Sequence, residues 1–228
     1  MKEVKLLHTA QIRLFPQDAI PLSKLIMEKH RDSIKSLYSF QTLEPLVRGD
    51  LTTGVSFNNG TYGAESVVIE AVTIEGRRIV VRVLGSSEVA NAVYEGVAKK
   101  LEELNDGRRI NELLCTHETA SSIVLDVPFE RIFSSAFLTF LNKSASKYTT
   151  NKWSRNLILP DTLKFSVRYM LTDEMLIKNH ITLAPKELVI EPRSQSSPEE
   201  RLYWIASPMD TETHFKLIED LEKALAEK

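Results

Sequence analysis

Cys115, Thr116, His117 and Glu118 bring a thiol, an imidazole and a carboxylate within four positions of a 228-residue chain. Residues of these types can ligate a metal, or supply a thiolate nucleophile with a histidine base. Neither chemistry is expected here. A metal would need further ligands at standard spacing, and His8, His30, His180 and His214 are scattered along the chain. Catalytic cysteine and histidine normally meet in space from distant parts of a sequence. Residues 115–122 therefore read as polar connecting chain. Phosphate loops, dinucleotide fingerprints, nucleophile elbows, HExxH helices and CxxC pairs are all missing from the sequence. Gly54, Gly60 and Gly63 precede a strand, not a helix start, so they do not read as a phosphate cradle. His30 falls on an apolar stripe, where a hydrogen-bonded, half-buried histidine is expected. No cofactor and no metal is expected.

A second pattern is basic. Arg13, Arg78, Arg82, Lys164 and Arg168 fall on strand positions opposite their apolar neighbours, with Arg193 and Arg201 as possible additions. Acids such as Glu95, Glu102, Glu103, Glu212, Glu219, Asp220 and Glu222 concentrate on helical stretches. The formal net charge of −2 can therefore hide a basic sheet face and an acidic helical back. The expectation is a non-enzymatic binding or scaffold protein whose binding residues are Arg13, Arg78, Arg82, Lys164, Arg168 and Arg201. Its partner would be a nucleic acid or an acidic protein surface. Glu70 and Glu191 work against this, because cross-strand ion pairs would turn the cations into ordinary sheet stabilisers. Two alternatives stand beside it: a carrier holding a small apolar ligand between a curved sheet and the Phe-rich helix 129–141, and an enzyme with a dispersed site such as His117, Glu118 and Arg168.

The elements that would position these side chains start from residues 65–105. Val67, Val68 and Ile69 open a β-branched run, Glu75-Gly76-Arg77 supplies a turn, and Ile79, Val81 and Val83 alternate with Arg78, Val80 and Arg82. Ser86 and Ser87 then cap a helix carrying Val89, Val93, Val97, Leu101 and Leu104. Upstream, the spacing predicts a strand over 4–15, a helix from Pro21 through about Tyr38, and short strands at 42–48 and 53–57. Asn59-Gly60 between Phe57 and Tyr62 is the strongest hairpin-turn signal in the chain.

Downstream, residues 187–227 repeat the strand, strand, helix plan. Strands are expected at 123–127, 156–159, 163–171, 180–192 and 201–206, with a last helix capped by Asp210 or Thr211. Each half then reads strand, helix, about four strands, helix, which suggests a duplication with halves 1–115 and 116–228 related by a pseudo-twofold. This order resembles the TATA-binding-protein-like fold, whose β-α-β4-α halves join into a saddle-shaped sheet. The resemblance implies an α+β fold, an antiparallel sheet with helices packed on one face. It implies nothing about activity.

Bulk properties set the outer limits. With 43% hydrophobic residues the chain can bury a substantial core. Cys115 is its single cysteine, so no intrachain disulfide forms and a reducing cytoplasm is the expected location. No apolar run approaches the roughly 18 residues of a membrane span. The N-terminus lacks the apolar segment of a signal peptide. An exposed sheet edge leaves homo-oligomerisation open.

Overall fold

Every predicted β-branched run that falls on a described residue enters one sheet. The computed structural model describes residues 3–25, 27–48, 51–147, 162–169, 172–193 and 200–227. Its strands are β1 (Glu3–Leu14), β2 (Thr42–Arg48), β3 (Leu51–Tyr62), β4 (Val67–Glu75), β5 (Arg78–Val83), β6 (Leu114–Val124), β7 (Leu163–Val167), β8 (Lys186–Pro192) and β9 (Leu202–Ser207). The helices are α1 (Leu22–Leu25), α2 (Glu28–Lys35), α3 (Ser87–Leu104), α4 (Ser135–Lys147), α5 (Glu174–Lys178) and α6 (Thr211–Ala226). The nine strands are antiparallel throughout, in the order β2-β3-β4-β5-β1-β6-β9-β8-β7. The fold is α+β.

The central pair is β1 and β6, so the first and last parts of the chain are hydrogen-bonded into one layer. The first part runs strand, helices, four strands, helix. Among the described residues the second runs strand, helix, three strands with α5 between the first two, then helix. The expected strand at 156–159 and the Ser/Pro-rich loop at 194–198 lie outside the described residues.

Alternation decides which side chains meet the helices. Ile79, Val81 and Val83 join Ala90, Val93, Val97 and Leu101 of α3 in the larger core, which also takes in Phe15, Leu25, Ile34 and Phe57. A smaller core sits under α6, where Ile123, Leu125, Ile205 and Tyr203 pack with Ile218. Helix-face burial of this kind drives the long helices onto a single side of the sheet. The short α5 is the exception. Arg77, in the β4–β5 turn, donates from Nη2 to the Asn179 carbonyl at 2.7 Å, and Lys186 pairs with Glu118 on β6. The connection carrying α5 thereby spans one end of the opposite face, where Val80 is buried.

Four expectations are corrected. Residues 115–122 are not a connector but the middle of β6, where His117 bonds to Gln11 on β1, Glu118 pairs with Lys186 on β8, and Thr119 and Ser121 bond to the Met209 carbonyl and to His214. The helix predicted from Pro21 to Tyr38 is broken at Met27, whose extended backbone (φ −73°, ψ 127°) starts α2 afresh, and Ser36–Tyr38 tightens into a 3₁₀ turn. The helix predicted at 129–141 splits into a 3₁₀ turn, Phe129–Ile132, and α4, whose start is capped by Ser134 Oγ accepting from the Phe137 amide at 3.2 Å. The strand predicted from 180 begins only at Lys186.

The Asn59-Gly60 signal also lands elsewhere. β3 continues through it, pairing Asn58 with Ala71 and Gly60 with Ile69 without a shift in register, so Asn59 takes its positive φ (56°) inside the strand and the turn follows at Gly63 (φ 71°) and Ser66 (φ 53°). Tolerance of positive φ serves a strand interruption and a turn alike. Gly60 has a second constraint: a Cβ there would stand 2.7 Å from the Phe40 ring.

Candidate functional site

The six predicted cations do not share a surface. Arg13 stands opposite Ile79 on the helix side and is buried. Arg78, Arg82 and Lys164 stand on the other side, as the pairings Arg82 with Ala10, Ala10 with Glu118, and Lys164 with Val189 require. Arg168 lies one residue beyond β7 and is exposed. Arg201 (φ 50°) donates to the Asp126 carbonyl at the end of β6. Arg193 lies with its guanidinium carbon 5.2 Å from the Trp204 ring centre.

The open face is also not basic. Arg78 is held by Glu75, Lys164 by Glu187 at 2.7 Å, Lys186 by Glu118, and His8 by Glu70 at 2.5 Å. Glu191 shares the face opposite Trp204. Arg82 is left without an ion-pair or hydrogen-bond partner among the described residues. It lines a groove of about 400 Å³ floored by Ala10, Ala120 and Ala206.

The helix face carries the denser chemistry. Because β1 and β6 pair antiparallel, Gln11 stands opposite His117, Arg13 opposite Cys115, and Thr9 opposite Thr119. These polar rows lie between the first turns of α3 and α6. The two helix starts are tied to each other: the Ser87 amide donates to Thr211 Oγ1 at 2.8 Å, and the Thr211 amide to Ser87 Oγ at 3.2 Å. Each helix thus satisfies an orphan first-turn donor of the other. Asp210 completes the α6 cap, accepting from the Thr213 amide at 2.8 Å as the sequence suggests. A cleft of about 620 Å³ remains, lined by Gln11, Arg13, Asn91, Cys115 and His117 with Glu88, Asp210, Glu212 and Lys216.

Hydrogen bonds fix the state of this site. Arg13 lies 3.9 Å over the Tyr94 ring and donates to Glu112, to Asn91 and, from Nε, to Gln11 Oε1 at 3.3 Å. That bond turns the Gln11 amide nitrogen toward His117 Nε2, 3.1 Å away. Nε2 therefore accepts, and the neutral ring carries its proton on Nδ1. Burial pushes the His117 pKa down, with Asp210 pulling the other way. The Cys115 sulfur lies 3.8 Å from the same Nε2, and burial pushes its thiol up. Glu88 is held below the usual carboxylate range by the Ser86 hydroxyl, and Asp210 by the Thr213 amide.

The arrangement offers a neutral imidazole N–H, two amides and a rim of ionised carboxylates. It does not offer an activated thiolate. Glu118, grouped in sequence with His117, points to the opposite face. Reasoning from the sequence misses Gln11 and Asn91, and places Ser87 and Thr211 only as helix caps, not as caps of each other. A signal for part of the set was available: Thr9, Gln11 and Arg13, and Cys115, His117, Thr119 and Ser121, are polar at every second position of adjacent strands. Among the described residues no three or more His, Cys, Asp or Glu converge as metal ligands, and no helix is long and apolar enough to cross a membrane. The chain matches no protein-family model and no curated protein.

Proposed function

We propose that this is a non-enzymatic binding protein that holds a small, amine-bearing polar molecule in the cleft between α3 and α6. The supporting observation is the Arg13–Gln11–His117 relay, which leaves the His117 Nδ1–H, on a side chain lining the cleft, with no hydrogen-bond partner among the described residues. Glu88, Asp210 and Glu212 attract a cationic amine, while the imidazole N–H takes an acceptor on the same molecule. Binding is favoured over catalysis because His117 Nε2 is already engaged and the thiol is held protonated. NMR titration with arginine, lysine, putrescine and acetate tests this. Amine-bearing ligands should shift the Gln11 and Asn91 side-chain amides and the His117 ring saturably, and acetate should not. His117→Ala should weaken binding about tenfold, the worth of one hydrogen bond. Unmoved resonances at millimolar ligand would sink the proposal.

A second binding mode rests on Arg82. An unpaired guanidinium beside a floor of alanines suits one acidic side chain on an extended protein segment. The five carboxylates on that face disfavour a polyphosphate. An acidic peptide should bind at low salt and lose affinity with Arg82→Ala; no binding, or no effect of the substitution, would remove this mode. Labelled DNA should stay unbound at low salt.

A further inference from the structure

A separate pocket of about 200 Å³ opens between α1, α2 and the β2–β3 edge. Leu25 and Val55, 3% and 4% exposed, form its floor, with Leu22 and Pro45 on its walls. Among the described residues the single charged group lining it is Arg31. Arg31 Nε is shielded from solvent and has no hydrogen-bond partner among the described residues. Nor does the rest of its guanidinium have an ion pair there. A shielded donor left unmade is costly, and none of the described residues lining the pocket is an acid.

We propose that this pocket binds a small monocarboxylate with an apolar tail. The carboxylate accepts side by side from the two terminal nitrogens of Arg31, the end of the guanidinium that is not shielded, in the two-pronged geometry a guanidinium favours. The tail lies on Leu22, Leu25, Pro45 and Val55. A cavity of roughly 150 Å³ holds a benzene ring, so a tail of about five or six carbons fits. Polyphosphates and sugars do not suit so apolar a lining. The site is distinct from the cleft between α3 and α6 and shares no residue with it.

The test uses hexanoate, hexylamine and 1-hexanol, three ligands of one shape and different head groups, titrated into methyl-labelled protein. Hexanoate is expected to shift the Leu22, Leu25 and Val55 methyl signals saturably and to bind at least about tenfold more tightly than either analogue, the margin of a charge-assisted hydrogen bond. Arg31→Met should abolish that preference. Arg31→Lys covers the case in which the methionine variant fails to fold: it should bind hexanoate several-fold more weakly and still discriminate against hexylamine. Absence of hexanoate binding at millimolar concentration, equal binding of hexanoate and hexylamine, or unchanged affinity in either variant would each overturn the proposal.

Discussion

Arg13 and Arg82 belong to adjacent strands of one sheet and have opposite fates. Arg13 sits under α3, its guanidinium saturated by Glu112, Asn91 and Gln11 and stacked on Tyr94. Arg82 faces the other way and has no partner among the described residues. The difference follows from cover. Under the helices a charge must be neutralised and fully hydrogen-bonded, so each nearby polar group is conscripted into one network. On the open face water does that work, and ion pairs such as Lys164–Glu187 form loosely between exposed groups.

The contrast breaks most clearly at Arg13. Arg13→Met should cost about 3 kcal/mol, because it removes three hydrogen bonds and leaves the buried Gln11 amide and Asn91 without their donor. Arg82→Ala should change stability by less than about 0.5 kcal/mol. Urea unfolding of both variants checks the ratio; equal effects would mean that cover does not decide the outcome.

The second test uses pH. His214 is fully buried, hydrogen-bonded by one ring nitrogen to Ser121 Oγ and by the other to Ser207 Oγ, each at 2.8 Å, and burial pushes its pKa down to about 4. Its folded pKa lies below the unfolded value, so the unfolded chain binds the extra proton. Stability from this residue is complete above about pH 6.5 and drains away as pH falls toward 4, by roughly 3 kcal/mol in all. No charged residue is bonded to the ring to offset this. Thermal melts between pH 7.5 and 4 should show the slope in wild type and lose most of it in His214→Asn.

Smaller effects refine the comparison. Ser87→Ala and Thr211→Val each remove one of the reciprocal bonds between the helix starts, and each should cost about 1 kcal/mol. The double variant should cost less than the sum, since the two hydroxyls serve one junction. Additive losses in a double-mutant cycle would show the two bonds to be independent. At the bottom of the scale, Lys164→Ala should alter stability by under about 0.5 kcal/mol, and 0.5 M salt should erase the change.

Much of the architecture was legible because it depends on local pattern. The alternation in 78–84 and the spacing of Val93, Val97 and Leu101 gave β5 and α3 without knowledge of any partner. The same pattern misled where two structures share one local requirement. Asn59 takes positive φ inside β3 as it would in a turn, and it is the continued pairing of Asn58 with Ala71 and Gly60 with Ile69 that separates the two. Residues 115–122 look like loop because they are polar, yet a strand held by its neighbours' backbone can carry polar side chains where partners are within reach, as Thr119 is met by the Met209 carbonyl at 2.7 Å.

The candidate sites were less legible for the same reason. Gln11 and His117 lie far apart in the chain, and the junction of Ser87 with Thr211 spans still more of it. Arg31 gives no signal in sequence, because what marks it is a missing partner.

By itself the sequence determined the strands with clear alternation, the helices with an unbroken apolar stripe such as α3 and α6, and which residues of those strands share a face, since alternation and helical spacing are properties of a short stretch of chain. Tertiary structure decided which face is covered, and so which cations are buried, which are paired and which stand alone. That choice depends on how strands from distant segments line up and where the helices come to rest, and no local pattern carries that information.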